Sequence, residues 1–360
     1  MTEEIIKKAI LVNVTSEKDA EKPFEELERL ADTAGYQTVG YMTQKREYPD
    51  KATYIGKGKL EELKAAAEVL EADIIIFDND INGSQFNNLE SVLNIDVIDR
   101  RTLILEIFSR HAVSNEGKLQ VELAQKRNML PRILGKGMVL SRQGGGGGGG
   151  GGARRGGGEQ QLELDRRTLR KEIADLETRI NKLTEERQLR RAKRQKNELK
   201  VVSIVGYTNA GKSTLMNSLT KAGVRAEDKL FATLDPVSRK FWLDTGKEFL
   251  LIDTVGFISR LPHELIKAFR STLEESKYAD LILHIVDGAS ENALSEFDTV
   301  NEVLSSIGIT ETPILTVINK SDLGAPEFIP QAENIVVVSA KTGEGMDALK
   351  DKISEMLFTG

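Results

Sequence analysis

The stretch "VVSIVGYTNAGKSTLMNSL", Val201–Leu219, decides the fold of the C-terminal part of this 360-residue chain. It begins as an apolar run, passes through a loop with a glycine at each end, and continues with apolar residues at helical spacing. Within it, Gly206–Ser213 matches G-x-x-x-x-G-K-S, a spacing in which backbone N–H groups and a helix N-terminus surround phosphate groups. A strand before this loop and a helix after it predict a phosphate-binding site in an α/β domain.

The residues that end this loop, and two motifs that follow it, supply chemistry for phosphates and a metal ion. Lys212 would reach the β- and γ-phosphates of a nucleotide, and the hydroxyl of Ser213 would ligate Mg²⁺. In "FLLIDTVGF", Asp253 ends a predicted strand, where it can hold the water shell of the magnesium, and the N–H of Gly256 can contact the γ-phosphate. Thr233 in "KLFATLDP" is the candidate for the switch threonine that closes on the magnesium; the alternative is an ordinary loop threonine.

The base of the nucleotide is predicted by two later motifs. "PILTVINKSD" is a strand that ends in Asn319-Lys320-Ser321-Asp322. The carboxylate of Asp322 can accept hydrogen bonds from both N1–H and the exocyclic amine of guanine, whereas adenine offers no such pair of donors. Lys320 can lay its stem along the ring, and the backbone of Ser339–Lys341 in "VVVSAKTGEG" can contact guanine O6. These motifs, in this order, predict GTP rather than ATP.

Together the motifs define a set of predicted GTP-binding residues. They are Gly206, Tyr207, Thr208, Asn209, Ala210, Gly211, Lys212, Ser213, Thr214, Phe231, Ala232, Thr233, Asp253, Thr254, Val255, Gly256, Asn319, Lys320, Ser321, Asp322, Ser339, Ala340 and Lys341. Of these, Ser213 and Thr233 are the predicted direct ligands of Mg²⁺, and Asp253 is a predicted ligand through water.

The composition limits the class of protein. An apolar content of 39% and a charged content of 29% are typical of globular domains, and 360 residues are enough for more than one of them. The absence of cysteine excludes disulfides and thiolate metal sites and suits a reducing compartment. The start "MTEEIIKKAI" lacks the apolar core of a signal peptide, and no apolar run approaches the ~18 residues of a membrane span. We therefore expect a cytoplasmic protein, with partial membrane association left open.

Residues 1–112 alternate short apolar runs with helical patterns. "KAILVNV", "YQTVGYM", "ADIIIFD" and "IDVID" are predicted strands, and "PFEELERLADTAG" and "GKLEELKAAAEVLEA" are predicted helices. This alternation predicts a small N-terminal domain built on a parallel α/β sheet. "YIGKGKLEEL" lacks the full spacing of a phosphate-binding loop, so we interpret it as a strand-to-helix turn.

Residues 113–196 are predicted to form an antiparallel helical hairpin, ahead of a G domain at 197–360. Downstream of a glycine run, Leu162, Leu169, Leu176 and Leu183 recur every seven residues, with Ile173 and Ile180 between them. This 3.5-residue period is typical of a helix packed along another helix. The upstream partner, "EGKLQVELAQKRNMLPRI", supplies Leu119, Leu123 and Leu130.

The tip of this hairpin is basic and rich in glycine. Nine consecutive glycines occupy 144–152, and no Asp or Glu occurs from Leu123 to Gly158 in a chain whose net charge is −6. The same stretch holds seven basic residues, namely Lys126, Arg127, Arg132, Lys136, Arg142, Arg154 and Arg155, and a second basic run, "RQLRRAKRQK", spans 187–196. A flexible backbone beside arginine lets main-chain N–H groups approach phosphates. We predict contacts with RNA through Arg132, Lys136, Arg142, Arg154 and Arg155, the alternative being a solvated charged face.

The motifs "GYTNAGKS", "FATLDP", "DTVGF", "NKSD" and "SAK" resemble those of the Obg–HflX group of translation-factor-class GTPases. The upstream "YIGKGKLEEL", "GKLQVELAQ", "LSRQGGG" and "GEQQLELDRR" narrow the resemblance to the HflX family. It implies a ribosome-associated GTPase that binds the large (50S) subunit and is linked to the splitting of stalled or idle ribosomes under stress. It also implies that the first domain and the hairpin reach ribosomal RNA near the peptidyl-transferase region.

The sequence departs from related patterns at three places. Glycine replaces most of the family's loop between Gln143 and Ala153, and Gly157 stands where proline is usual. We also expect no counterpart of the extra C-terminal domain that many bacterial members carry beyond the helix that follows Lys341. Phe257 follows the switch glycine, where Ras-like GTPases carry the glutamine that orients water, so another group must complete the site. Asn209 stands where related GTPases with such an apolar residue place a potassium ligand; the alternative is an asparagine that only tolerates the loop's backbone.

The sequence thus predicts an α/β chain with a P-loop G domain that catalyses GTP + H₂O → GDP + phosphate with Mg²⁺ and, on one interpretation, K⁺. The predicted partners are GTP or GDP and the 50S subunit with its ribosomal RNA. Two alternatives remain at this point. One is a regulatory GTPase that acts on a protein partner through the hairpin, and the other is an RNA-remodelling NTPase.

Overall fold

The computed structural model describes the chain except for residues 1–5, 17–23, 144–151, 196–198, 221–229, 232–236, 244–245, 261–275, 327 and 359–360. The chain divides into two compact units, Met1–Arg110 with Val121–Arg179, and His111–Gln120 with Ile180–Gly360. Each unit is built around its own sheet. The division into 1–112, 113–196 and 197–360 stays a prediction.

The first unit contains a four-stranded parallel sheet in the order β2-β1-β3-β4. Its elements are β1 (Lys7–Thr15), α1 (Glu25–Thr33), β2 (Tyr36–Lys45), α2 (Lys57–Leu70), β3 (Ile74–Phe77), α3 (Gly83–Leu93), β4 (Asp96–Asp99) and α4 (Arg100–His111). All four residues of β3 are buried, because helices cover both faces of a parallel sheet. The predicted parallel α/β domain is confirmed.

A charged cluster lies at the carboxyl end of this sheet. Arg100 binds Asp78 at 2.9 Å and also binds Glu26, and the side chain of Asp78 is fully buried. Burial would lower the pKa of Arg100, but the two carboxylates outweigh it and raise that pKa. A buried charge of this kind is tolerated because it is paired and hydrogen-bonded.

Two long helices, α5 (Asn115–Gln143) and α6 (Gly152–Gln195), follow the first sheet. Lys126 pairs with Glu172 at 2.9 Å and Arg127 pairs with Glu177 at 2.6 Å. Glu116, earlier on α5, pairs with Arg187, later on α6, at 3.0 Å, so the two helices run antiparallel. On α6, Leu169 and Leu176 are buried, and the other predicted seam residues are half-buried. The seven-residue apolar repeat thus forms the packed seam that the sequence predicts.

The second unit contains a six-stranded sheet in the order β10-β9-β8-β5-β7-β6, in which only β6 and β7 pair antiparallel. Its elements are β5 (Lys200–Gly206), α7 (Lys212–Thr220), β6 (Val237–Trp242), β7 (Glu248–Asp253), β8 (Leu281–Asp287), α8 (Ala293–Ser306), β9 (Ile314–Asn319), β10 (Ile335–Val337) and α9 (Met346–Phe358). Helices α7 and α9 pack on one face of the sheet, and α8 packs on the other.

This topology gathers the predicted nucleotide motifs at one edge of the second sheet. The phosphate loop follows β5, the "DTVG" motif begins at the end of β7, and the "NKSD" and "SAK" motifs follow β9 and β10. In a parallel α/β sheet, ligands bind outside the carboxyl ends of the strands. None of the helices in the described ranges is long and apolar enough to cross a membrane.

Candidate nucleotide-binding site

The phosphate loop holds its lysine in a buried position. Lys212 is 6% exposed, and its Nζ donates a hydrogen bond to the carbonyl of Tyr207 at 2.8 Å. Burial lowers the pKa of Lys212 to about 8, an effect that the carboxylate of Asp253 partly offsets. A buried ammonium at the start of α7 is placed to meet phosphate oxygens, whose negative charge would favour its protonated form.

Glycine at two positions allows the backbone to lie close to Lys212 and to Asn319. At Gly211, where φ is +92°, a Cβ would lie 2.2 Å from the side-chain nitrogen of Asn319. At Gly256, a Cβ would lie 2.8 Å from Nζ of Lys212. A side chain at either position would occupy space at the centre of the site, so close packing requires both glycines, and the backbone conformation also favours glycine at Gly211.

A hydroxyl and a carboxylate meet beside the lysine. The Oγ of Ser213 donates to Oδ2 of Asp253 at 2.8 Å, which joins the start of α7 to the end of β7. Asp253 is fully buried. Hard oxygen ligands of this kind suit Mg²⁺, so the residues present fit that ion. Thr233 and Ala232, the other predicted contacts here, lie outside the described residues.

The side chain of Phe257 lies in the core, where it cannot orient the attacking water. It is 1% exposed and packs with Val205, Ile282 and Val300 beneath α8. Its backbone pairs with the phosphate loop, because its N–H donates to Gly206 at 3.1 Å and its carbonyl accepts from Thr208 at 2.7 Å. The residue after the switch glycine is therefore a core residue that fixes this segment to the phosphate loop.

Asn319 connects the phosphate loop to the base-recognition loops. Its Nδ2 donates to the carbonyl of Ala210 at 2.9 Å, and its Oδ1 accepts from the N–H of Ala340 at 2.9 Å. Asp322 accepts a hydrogen bond from the hydroxyl of Ser339 at 2.6 Å, and this bond lowers the pKa of the Asp322 carboxyl. The carboxylate is thus ionised and oriented, as an acceptor for two guanine donors requires.

The structure adds partners that the sequence motifs did not reveal. Nζ of Lys320 binds Asp287 at 2.6 Å, and the hydroxyl of Tyr207 accepts from the N–H of Ser259 at 2.6 Å. Asp287 ends β8 at the same sheet edge as the other motifs, so its position after an apolar strand was the available signal. The bond to Ser259 depends on tertiary packing and left no signal in the sequence.

Asn209 adopts a left-handed backbone conformation with φ of +63°. Asparagine tolerates this conformation better than most residues. The backbone thus gives a sufficient reason for asparagine at this position, and a ligand role for its side chain stays a prediction.

The predicted RNA-contacting residues divide into two groups. Arg132 is partly buried in the first unit, where it donates to the hydroxyl of Thr102 at 2.6 Å, lies 3.6 Å from Asp99 and covers the ring of Phe86 at 3.7 Å. Burial lowers the pKa of Arg132. The second group comprises Lys136 and Arg142 on α5 and Arg154 and Arg155 on α6, whose side chains lie outside the described residues.

A phosphate loop that shares one sheet edge with a guanine-recognition loop is the arrangement of the P-loop GTPases, and the second unit has this arrangement. Three families match consecutive parts of the chain. A GTP-binding GTPase N-terminal family matches residues 21–109, a GTP-binding GTPase middle-region family matches 111–194, and a family described as 50S ribosome-binding GTPase matches 201–320.

Relatives match nearly the whole length of the chain. The GTPase HflX of Caldanaerobacter subterraneus subsp. tengcongensis is 49% identical over 352 residues, which cover 98% of this chain and 81% of the relative. The GTPase HflX of Escherichia coli K12 is 41% identical over 358 residues, which cover 97% of this chain and 82% of the relative. The chain belongs to the HflX family of GTPases and hydrolyses GTP.

A solved structure shows the same fold. The GDP complex of a GTP-binding protein from the archaeon Sulfolobus solfataricus aligns over 98% of this chain and 99% of its own, with a TM-score of 0.51 and 24% identity. At this level of identity the likeness concerns the fold. It confirms the predicted order of an α/β N-terminal part, a helical region and a P-loop GTPase domain.

Proposed function

We propose that this GTPase binds the large ribosomal subunit when GTP is bound and, by hydrolysing GTP, dissociates or recycles stalled or idle ribosomes under stress. The family described as 50S ribosome-binding GTPase matches its G domain, and its HflX relatives cover the rest of the chain. The finer proposal depends on the basic tip of the helical pair.

The RNA-binding part of this proposal rests on the difference between two groups among the seven basic residues from Leu123 to Gly158. Lys126 and Arg127 pair with glutamates of α6, and Arg132 is bound within the first unit. The remaining four, Lys136, Arg142, Arg154 and Arg155, flank residues 144–151. Positive charge beside glycine suits phosphate recognition, and the stretch from Leu123 to Gly158 contains no aromatic residue for base stacking.

For the nucleotide site, we propose that the loop from Gly206 to Thr214 surrounds the phosphates and that Lys212 neutralises the β- and γ-phosphates. Ser213, Thr233 and, through water, Asp253 would hold Mg²⁺. When bound, this ion supplies charge stabilisation to the transferring phosphoryl group. The N–H of Gly256 would contact the γ-phosphate, and Asp322 would select guanine with Lys320 and the backbone of Ser339–Lys341. Phe231, Ala232, Thr254 and Val255 would complete the contacts.

The guanine assignment is tested by Asp322→Asn. An amide presents a donor where the carboxylate accepts, so GTP affinity should fall at least about tenfold and xanthosine triphosphate should bind better than it does to the wild type. Ser339→Ala is the control. It removes the hydroxyl that orients Asp322 but keeps the carboxylate, so it should weaken GTP without any gain for xanthosine triphosphate. Unchanged GTP affinity in Asp322→Asn would contradict the assignment of Asp322 to guanine recognition.

We also propose that K⁺ binds at Asn209 and supplies charge stabilisation that no glutamine provides, because Phe257 is buried in the core. Hydrolysis should then be faster in potassium than in sodium at equal ionic strength. The test variant is Asn209→Gly, because glycine adopts the observed positive φ without strain and removes only the amide. Equal rates of the wild type in the two salts would leave Asn209 with a backbone role alone.

The ribosomal proposal is tested by sedimentation with 50S particles in the presence of a non-hydrolysable GTP analogue or GDP. We expect pelleting with the analogue and little with GDP. Light scattering of 70S particles should then show dissociation that depends on the chain and GTP. Failure to pellet with 50S in either nucleotide would favour the alternative, a GTPase switch that acts on a protein partner.

A further inference from the structure

The outer edge of β6 is the free side of the second sheet. Strand β6 pairs with β7 on one side, and no other strand in the described parts of the chain pairs with it. Its sequence, "VSRKFW", carries two cations and no acid. Trp242 is 61% exposed there, although an indole of this size is usually mostly buried.

The hydrogen bonds of the β6–β7 hairpin show which backbone groups face outward. The N–H of Leu243 donates to the carbonyl of Lys247 at 2.9 Å, and the N–H of Gly246 donates to the carbonyl of Leu243 at 2.9 Å. In an antiparallel ladder, hydrogen-bonded pairs recur at every second residue. Phe241, Arg239 and Val237 therefore bond towards β7, whereas the N–H and C=O groups of Ser238, Lys240 and Trp242 point away from it.

The side chains of these three outward-bonding residues share one face and are all exposed. Lys240 pairs with Glu248 of β7 at 3.2 Å, but both side chains remain substantially exposed. Arg239, on the opposite face, is exposed as well, and its guanidinium donates a hydrogen bond to the carbonyl of Ser238 at 3.2 Å. An additional strand would thus meet the outward backbone groups of Ser238, Lys240 and Trp242, an indole and positive charge. Of these groups, the carbonyl of Ser238 already accepts this hydrogen bond from the exposed side chain of Arg239.

From this geometry we propose that the β6 edge, Val237–Trp242, binds an extended acidic segment of a protein partner by strand addition. Main-chain hydrogen bonds from Ser238, Lys240 and Trp242 supply affinity, and the side chains supply specificity. Acidic side chains on one face of the segment pair with Arg239, and apolar side chains on its other face pack on Trp242. This docking function is separate from nucleotide and RNA binding.

A second copy of this chain is a poorer occupant of the same edge. Antiparallel pairing of two β6 edges would bring Arg239 and Lys240 of both copies together, and like charges across strands are destabilising. Lysine on an edge strand also discourages such self-pairing. Charge complementarity therefore favours an acidic partner strand.

The test uses the chain's single tryptophan as the reporter. The probe is a blocked seven-residue peptide of alternating Glu and Val, compared with its Lys–Val counterpart and with a Glu–Val peptide N-methylated on the amides that would face β6. The Glu–Val peptide should shift the emission of Trp242 to shorter wavelength in a saturable manner. The Lys–Val and methylated peptides should not. Binding of the methylated peptide with equal affinity, or no binding of the Glu–Val peptide, would overturn the proposal.

Variants of Lys240 and Arg239 test the same proposal from the protein side. Lys240→Pro removes an outward N–H while leaving the ladder with β7 intact, so it should abolish peptide binding and keep GTPase activity. Lys240→Ala keeps the N–H and should weaken binding only a few-fold. Arg239→Glu with Lys240→Glu should weaken the Glu–Val peptide about tenfold or more and favour the Lys–Val peptide. If Lys240→Pro misfolds, the methylated peptide still tests whether binding depends on main-chain hydrogen bonds to β6. A dimer of the free chain that Lys240→Pro abolishes and Lys240→Glu strengthens would assign the edge to self-association and overturn the proposal.

Discussion

At the scale of residues, Lys212 is an ammonium group kept in a buried loop next to a carboxylate. Its pKa lies at about 8 instead of 10.5, because burial disfavours the charged form. Protonating the folded chain is therefore harder than protonating the unfolded one, and the folded state gains stability as pH rises from about 8 to 10.5. Phosphate oxygens next to the ammonium would instead raise the pKa of Lys212.

The first prediction is that GTP binding takes up protons at alkaline pH. Because bound phosphates raise the pKa of Lys212 again, about half a proton should be taken up per nucleotide at pH 8 and much less at pH 7. Affinity should fall as pH rises above 8. Calorimetry in two buffers of different ionisation enthalpy measures the uptake. Identical apparent enthalpies in both buffers at pH 8 would show that Lys212 is already fully charged.

The second prediction concerns Phe257, whose sequence position is that of a catalytic glutamine in other GTPases. Because its side chain lies in the core, Phe257→Gln should not accelerate GTP hydrolysis and should lower the free energy of unfolding by about 3 kcal/mol. Phe257→Leu, which keeps an apolar side chain, should cost about 1 kcal/mol. Urea unfolding and single-turnover hydrolysis measure the two effects. A faster hydrolysis in Phe257→Gln would place this side chain at the reaction centre.

The sequence could predict that Phe257 is not a catalytic glutamine, but it could not predict the residue's structural role. That role depends on backbone bonds to Gly206 and Thr208, and backbone groups are the same in every sequence. In the same way, the "NKSD" motif predicts where Asn319 and Asp322 lie. It does not predict that Ser339 orients Asp322, because that contact joins two loops 17 residues apart.

At the scale of elements, the α5–α6 pair shows which interactions a local pattern can reveal. The seven-residue repeat predicted the buried seam at Leu169 and Leu176, because periodicity fixes which side chains share a face. The charge pattern, however, groups Lys126 and Arg127 with the basic tip, whereas the structure pairs them with Glu172 and Glu177. Their partners lie about fifty residues away, so no local window contains both charges of either pair.

The third prediction tests the seam. Leu176 is 4% exposed and Leu164, on the same helix, is 57% exposed. Leu176→Ala should therefore lower the free energy of unfolding by about 2–4 kcal/mol, whereas Leu164→Ala should change it by less than about 0.5 kcal/mol. Denaturant titration monitored by circular dichroism compares the two variants. Equal costs would mean that α6 is not held by its leucine repeat.

At the scale of the whole molecule, we propose that GTP binding and ribosome binding depend on different parts of the chain. The second unit holds the residues that fit GTP and Mg²⁺, whereas the basic residues proposed to bind RNA, Lys136, Arg142, Arg154 and Arg155, flank residues 144–151. Affinity for the ribosome and affinity for GTP in solution should therefore respond to different substitutions. This separation can be tested by changing charge at the tip alone.

The most direct measurement is the salt dependence of 50S binding by the variant Arg142→Glu, Arg154→Glu and Arg155→Glu. If these arginines neutralise phosphates, binding should fall strongly, and the slope of log affinity against log salt should decrease by about 2–3 in total, at 0.7–0.9 per contact. The control makes the same charge changes at the exposed Arg170, Lys171 and Arg179 of α6, and it should bind nearly as the wild type does. GTP affinity without ribosomes should be unchanged in both variants. A tip variant that pellets with 50S particles like the wild type at every salt concentration would contradict the account.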